Sequence, residues 1–295
     1  MDIRFAYLLG LIIGNGTIQR GTQDTTVVID LPHKNFKVDD RDVKLFVLAS
    51  LNDIRNYLEP LLDRSINTNQ NDTVTRLSFS KDNRDFLITE LNRYLNRCSN
   101  HENMRIHENV FEQSHDVRLA ILQGIADSTG YVRRSNYFFL PYKHRVYIEV
   151  PHNWELVIDI CNLLKSVDIP VQTIDFAHPN MRDGNLVKYK SGHPNFWKKE
   201  HQIKIWVNEF LPVGFKVKHK QEALHEFAEE FAAGENLSLE ELGEKTHSYY
   251  WEKQIRARNR KSHPMVNDEF IPSSIRGRQF ASWQQIAEAL GYGDK

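Results

Sequence analysis

The sequence predicts an α+β protein of two pseudo-symmetric αββαββα halves followed by a helical C-terminal extension, and three observations carry that reading. An apolar run closing on a glycine turn is written twice, as Tyr7-Leu-Leu-Gly-Leu-Ile-Ile-Gly-Asn-Gly16 and as Leu119-Ala-Ile-Leu-Gln-Gly-Ile-Ala-Asp-Ser-Thr-Gly130. The same succession of strand-like and helix-like periodicity follows each copy. Past about residue 219 the pattern gives way to an acidic and then a basic stretch. The chain thus divides into 1–105, 106–218 and 219–295, consistent with a 295-residue length that suggests about two domain-sized units.

Each element has its own justification. After Gly16, the β-branched stretches Thr17–Arg20 and Thr25–Leu31 flank a polar turn at Gly21–Asp24 and read as a hairpin closed by Pro32. Residues 41–59 place Val43, Leu45, Phe46, Leu48, Leu51, Ile54 and Leu58 near a 3.6-residue period, which predicts an amphipathic helix stopped by Pro60. Strands at Ser65–Thr68 and Thr73–Ser80 precede a helix over 82–96 with Phe86, Leu87, Leu91 and Leu95 on its inner face. In the second half, Tyr131–Asn136 pairs with Arg145–Val150, and Trp154–Ser166 is helical. Strands Val171–Phe176 and Gln202–Val207 follow, separated by a polar insertion over 178–200, and a short helix begins at Asn208. Neither half can bury one face of its sheet alone, so the two should pack about a pseudo-twofold axis. In the extension, Ala223, Leu224, Phe227 and Phe231 predict a helix packed on the body. A last helix starts at Ser282 and stops at Gly291.

Composition narrows the function classes. Lys+Arg 38 against Asp+Glu 39 gives a net charge of −1, so any nucleic-acid site must be a local basic surface. Two cysteines, Cys98 and Cys161, exclude a disulfide framework and a cysteine-rich zinc site, and fit an intracellular, reducing compartment. The N-terminal apolar run Phe5–Ile13 is too short to span a bilayer and lacks a signal-peptide cleavage pattern, so no membrane partner is expected.

The repeated run carries the chemistry. Gly10 with Gly14, and Gly124 with Ser128, give each helix a narrow strip on which two backbones can approach closely. The residue before each closing glycine then projects from the end of the helix pair; these are Asn15 and Thr129. The two runs, each opening an αββαββα unit, resemble the two signature helices of single-chain LAGLIDADG homing endonucleases over roughly residues 1–218. The resemblance implies a saddle bound to double-stranded DNA, a monomer whose halves supply the twofold, and Mg²⁺-dependent phosphodiester hydrolysis. It places the family's metal-binding acids at Asn15 and Thr129, where this chain has an amide and a hydroxyl without negative charge. Asn15 is then either a natural departure or a change that traps a complex. Asp127, the nearest carboxylate, is either a second metal ligand or a solvent-facing or capping residue of the helix end. The resemblance also implies a basic residue after the last helix of each half. Lys218, with Lys216 as second choice, carries it in Phe215-Lys-Val-Lys-His-Lys220, and only Arg97 is available in the first half. These lysines equally suit a phosphate-contacting surface.

On the saddle, alternate side chains of the hairpins would enter the major groove. The candidates are Gln19, Arg20, Gln23 and Lys34 in the first half, and Arg133, Arg134, Asn136, Lys143 and Arg145 in the second. The 178–200 insertion adds Lys188 and Lys190 among Arg182, Lys198, Lys199, Tyr189, Phe196 and Trp197, a basic and aromatic mix suited to a phosphate backbone or to a plain surface loop. His247, His263 and Asp268 are too loosely spaced for a metal site. Three functions fit these residues. The first is a sequence-specific LAGLIDADG-type endonuclease, impaired where Asn15 and Thr129 replace acids. The second is a catalytically degenerate DNA- or RNA-binding protein, maturase-like or regulatory. The third is an interaction protein whose motif helices are only its core.

Overall fold

A computed structural model describes residues 1–32, 43–71, 74–100, 103–133, 144–151, 153–179 and 199–235. The first half runs α1 (Ile3–Asn15), β1 (Gly16–Arg20), β2 (Asp24–Pro32), α2 (Val43–Leu62), β3 (Asn67–Gln70), β4 (Val74–Asp82) and α3 (Phe86–Tyr94). The second runs α4 (His115–Thr129), β5 (Gly130–Arg133), β6 (Arg145–Pro151), α5 (Trp154–Ser166), β7 (Thr173–Pro179), β8 (Lys199–Trp206) and α6 (Val207–Phe210). A final helix, α7, spans Lys218–Glu235. The protein is a mixed α+β structure with two antiparallel four-stranded sheets of identical topology, β1-β2-β4-β3 and β5-β6-β8-β7.

The centre of the molecule is the α1–α4 pair. α1 buries every residue from Phe5 to Gly14, which is why its sequence is a continuous apolar run and not an amphipathic one. Side chains would hold two such helices apart; glycine does not. A Cβ added at Gly10 would stand 2.9 Å from the carbonyl carbon of Ile121, and one at Gly124 would stand 2.7 Å from the amide nitrogen of Leu11. The small residues expected along the helices are therefore the contact itself.

Several local expectations are corrected. α2 passes through Pro60 and ends two residues later, so the ladder bond that the proline cannot donate and the crowding of its ring fall on the last turn. The helix stops instead at Asp63, at φ 48° in the left-handed region, whose N–H closes on the carbonyl of Glu59. Leu45 and Leu48 are exposed, and α2 packs through Val47, Leu51, Ile54 and Leu58. α3 starts later than expected because Asp85 caps it, accepting from Leu87 N–H. Phe86 lies outside the buried face at 79 % exposure. The extension does pack through Ala223, Leu224, Phe227 and Phe231, in a helix that ends at Glu235.

Each half is strapped to the other by the segment that leaves it. After α3, Ser99 and Asn100 pair with the edge of β1. Arg105 then reaches α5, with Nε to Asp159 at 2.6 Å, Nη2 to Asp159 at 3.0 Å and Nη1 to Glu155 at 2.8 Å. After α6, Lys218 reaches α2 in the first half, its N–H donating to Ser50 and its Nζ pairing with Asp53 at 3.0 Å. Among the described residues no helix is long and apolar enough to cross a membrane.

Candidate functional site

The ends of α1 and α4 hand over directly to β1 and β5, and each motif-end side chain turns back onto the neighbouring strand. Asn15 Nδ2 donates to the carbonyl of Asp30 at 2.9 Å, and Thr129 Oγ1 donates to the carbonyl of Glu149. Strand register makes this one arrangement written twice. Gly16 faces Ile29 and Gly130 faces Ile148, so the residue before each glycine stands beside the residue after each isoleucine. Those residues are both acids.

Alternation sorts the strands into a core face and an outer face. In β2, Thr25, Val27, Ile29 and Leu31 are buried, while Thr26, Val28 and Asp30 lie on the outer face. Register brings three rows together there in the first sheet: Gln19, Thr26 and Ser80; Thr17, Val28 and Ser78; and Asp30 with Arg76. The hydroxyls of Thr26 and Ser80 lie 2.8 Å apart. Arg76 grips Asp30 in a fork, Nε to Oδ1 at 2.7 Å and Nη2 to Oδ2 at 2.9 Å. Apart from Val28 this face is polar, with Gln19 and Arg76 exposed and the other side chains half-buried.

The equivalent rows of the second sheet have different chemistry. Arg133, Arg145 and Trp206 form one, and Tyr131, Tyr147 and Lys204 another. The rings of Tyr131 and Tyr147 stack at 5.1 Å, Lys204 lies over Tyr147, and Arg145 lies 4.6 Å over Trp206. In the third row Glu149, at 1 % exposure, accepts from Tyr131 Oη and Gln202 Nε2, both at 3.0 Å. Of these residues Arg133 is exposed, whereas Arg145 is buried against its tryptophan.

Beside the helix ends lies a buried polar cluster around Asp127. The solvent-facing reading of this residue is corrected: it has no exposed surface, because α1 and the segment after α6 close over it. Its carboxylate accepts from Tyr7 Oη at 2.8 Å, Lys216 N–H at 3.0 Å and Val217 N–H at 3.2 Å. Burial pushes the Asp127 carboxyl up, against the opposing pull of the Lys220 ammonium and these three donors. Burial, then the neighbouring Asp127, pushes the Tyr7 phenol up as well. Lys220, which no sequence pattern marks, donates Nζ to the carbonyls of Asp127 at 2.6 Å and Ala126 at 3.3 Å. It thereby caps the C-terminus of α4 with a buried cation. Lys216 instead lies 4.0 Å over the ring of Tyr57, and burial pulls its ammonium down. Lys218 points to α2, as described above.

The remaining sequence candidates fall as follows. Gln19 is on the outer face and Gln23 is exposed in the β1–β2 turn. Arg20 has the core-side parity, and its guanidinium binds Asn92 at 2.8 and 3.2 Å and Ser99 at 2.7 Å. Arg97 is exposed, at φ 58° just after α3. Lys34, Arg134, Asn136, Lys143, Lys188 and Lys190 lie outside the described residues, as do the basic tail and its last helix. Asp30, Glu149, Arg76 and Gln202 were not singled out from sequence, although writing out the hairpin register would have set the two acids beside Asn15 and Thr129.

Divalent metal does not fit the helix ends as built. Hard cations need anionic oxygen, and the two motif-end side chains are neutral groups donating to strand carbonyls. The adjacent acids are engaged, Asp30 by Arg76 and Glu149 by Tyr131 and Gln202. Among the described residues no three His, Cys, Asp or Glu side chains form a group that could hold a metal ion.

No family model matches the chain, and no curated protein matches it. Solved structures do. A variant of the homing endonuclease I-DmoI, in complex with its target DNA and manganese, is 18 % identical, covering 75 % of this chain and 97 % of that one at a TM-score of 0.38. The homing endonuclease I-WcaI bound to its DNA recognition sequence is 12 % identical over 74 % and 85 %, with a TM-score of 0.42. The LAGLIDADG homing endonuclease I-GzeII in complex with its DNA target is 10 % identical over 84 % and 96 %, with a TM-score of 0.43.

Proposed function

We propose that this chain is a sequence-specific double-stranded DNA-binding protein of LAGLIDADG type, acting as a monomer, in which the motif ends serve architecture and not hydrolysis. Residues 1–105 and 106–218 are its two recognition halves and 219–295 an extension. The observation that carries the reading is the pseudo-twofold itself: one glycine-packed helix pair hands over to two sheets of identical topology. The first sheet shows an outer face of hydrogen-bonding groups, Gln19, Thr26, Asp30, Arg76, Ser78 and Ser80, that no core contact requires. Such a face suits base edges in a major groove, with Arg133 as a cationic contact from the second sheet.

A second reading, Mg²⁺-dependent cleavage, is favoured by one observation: two carboxylates, Asp30 and Glu149, stand next to the two motif ends. The test is binding and cleavage of a randomised duplex library by the full chain, with Mg²⁺ and with Ca²⁺, beside the variant Asn15→Asp. We expect selective, salt-dependent binding without cleavage in either protein, because an acid at 15 would lose the N–H donated to Asp30 and set two oxygens against each other. Cleavage by the wild type would replace this reading with the enzymatic one. Absence of selective binding would remove both and leave the interaction protein.

A further inference from the structure

We propose that Arg76 is a specificity-determining residue that reads a guanine, its guanidinium preset by Asp30. This rests on the DNA-binding reading and deepens it by assigning a base to one residue.

The geometry begins at the helix end. Asn15 fixes the backbone of Asp30 through its carbonyl at 2.9 Å, and the Asp30 side chain fixes Arg76 through two hydrogen bonds. The arginine is thus tied to the pseudo-twofold axis in two short steps. A guanidinium has two forked edges, and Asp30 occupies the one formed by Nε and Nη2. The other edge, Nη1 with the second Nη2 hydrogen, meets no partner among the described residues, and the side chain is 55 % exposed. Two parallel N–H groups at fixed spacing match O6 and N7 of guanine in the major groove, and no other base offers that acceptor pair. The carboxylate removes most of the rotamer freedom that a lone surface arginine would lose on binding. It also places a negative charge beside the guanidinium, which disfavours a phosphate at the same point and favours a base edge. Around Arg76 the outer face is neutral, with Asn69 opposite it on β3 and Ser78 two residues on.

The second half repeats the relay with other residues. Thr129 holds the backbone of Glu149, and Glu149 accepts from Gln202, which stands where Arg76 stands in the first sheet. Gln202 is buried, so the open reader is in the first half.

The experiment selects bound sequences from a randomised duplex library with the full chain as wild type, Arg76→Ala and Arg76→Gln, and measures the affinity of the winners across a salt series. The wild type should enrich guanine at one position near the centre of the first half-site, preferring it about ten- to a hundredfold. Arg76→Ala should lose the preference there and keep the others. Arg76→Gln should move it to adenine, the base glutamine pairs with, a gain that misfolding cannot produce. An unchanged consensus in Arg76→Ala would overturn the assignment while leaving the DNA reading intact. So would equal weakening for all sequences with a shallower salt slope, which marks a phosphate contact. Failure of the wild type to select any sequence would sink the DNA reading and this inference together.

Discussion

Glu209 should make the stability of this protein fall as pH rises towards neutrality. It sits in α6 with 7 % of its surface exposed, and its Oε1 meets no hydrogen-bond partner. Burial alone pushes its carboxyl from 4.5 up to about 7. The native state therefore holds a proton that the unfolded state has released between those two values. Stability contributed by the neutral acid is fully present below pH 4.5 and is lost as pH rises through about 7. The gap corresponds to about 3 kcal/mol, an order of magnitude set by burial. Glu209→Gln keeps the volume and removes the titration. In urea unfolding followed by circular dichroism, the stability of the variant relative to wild type should rise by about 3 kcal/mol between pH 5 and pH 8. Taking the difference isolates Glu209, because the buried Asp127 titrates in both proteins. Parallel curves, with the difference changing by less than about 1 kcal/mol, would refute the reasoning.

Two further outcomes follow from the helix seam. In Gly124→Ala the new methyl meets backbone at 2.7 Å (Leu11 N) and 2.9 Å (Gly10 C), which no rotamer relieves. The helices must part, at a cost of about 3 kcal/mol in urea unfolding, and DNA affinity should fall because the spacing of the two sheets changes with the seam. A cost below about 1 kcal/mol would mean that the seam is not close-packed there. Asp127→Ala leaves the hydroxyl of Tyr7 and the N–H groups of Lys216 and Val217 without their acceptor. The expected loss is about 3–5 kcal/mol, with faster proteolysis within 213–220, and an unchanged cleavage rate would show that this cluster does not hold the segment.

Much of the fold was legible in the sequence because it is written in local terms. The glycine-closed runs, the β-branched pairs and the 3.6-residue periods each specify their element without outside help, and Trp154–Ser166 forms over the residues its periodicity marks. The misplacements came from residues whose meaning is tertiary or positional. Pro60 stops nothing because only Leu61 and Leu62 follow it in the helix. Asp127 looked like a helix-end polar residue because its donors, at 7, 216 and 217, are far away in sequence. Lys216, Lys218 and Lys220, spaced by two, are alike in sequence and differ only in what they meet: an aromatic ring, Asp53 or a helix C-terminus.

The two motif ends are fastened in the same way by different side chains. Asparagine and threonine differ in functional group and in shape, but each offers a hydrogen-bond donor, and each gives it to the carbonyl of an acidic residue on the next strand. A carboxylate, the group that metal-dependent hydrolysis would need there, cannot make that bond at neutral pH because it carries no proton to donate. Two dissimilar side chains in the two halves of one chain thus make the same bond, and neither brings the anionic oxygen that a hard cation favours. What the strand then presents, Asp30 with its arginine or Glu149 with its glutamine, is the part that differs between the halves. On the DNA-binding reading, discrimination between two half-sites would rest on what differs between these rows, and of the two only Asp30 with Arg76 is open, Glu149 and Gln202 being buried.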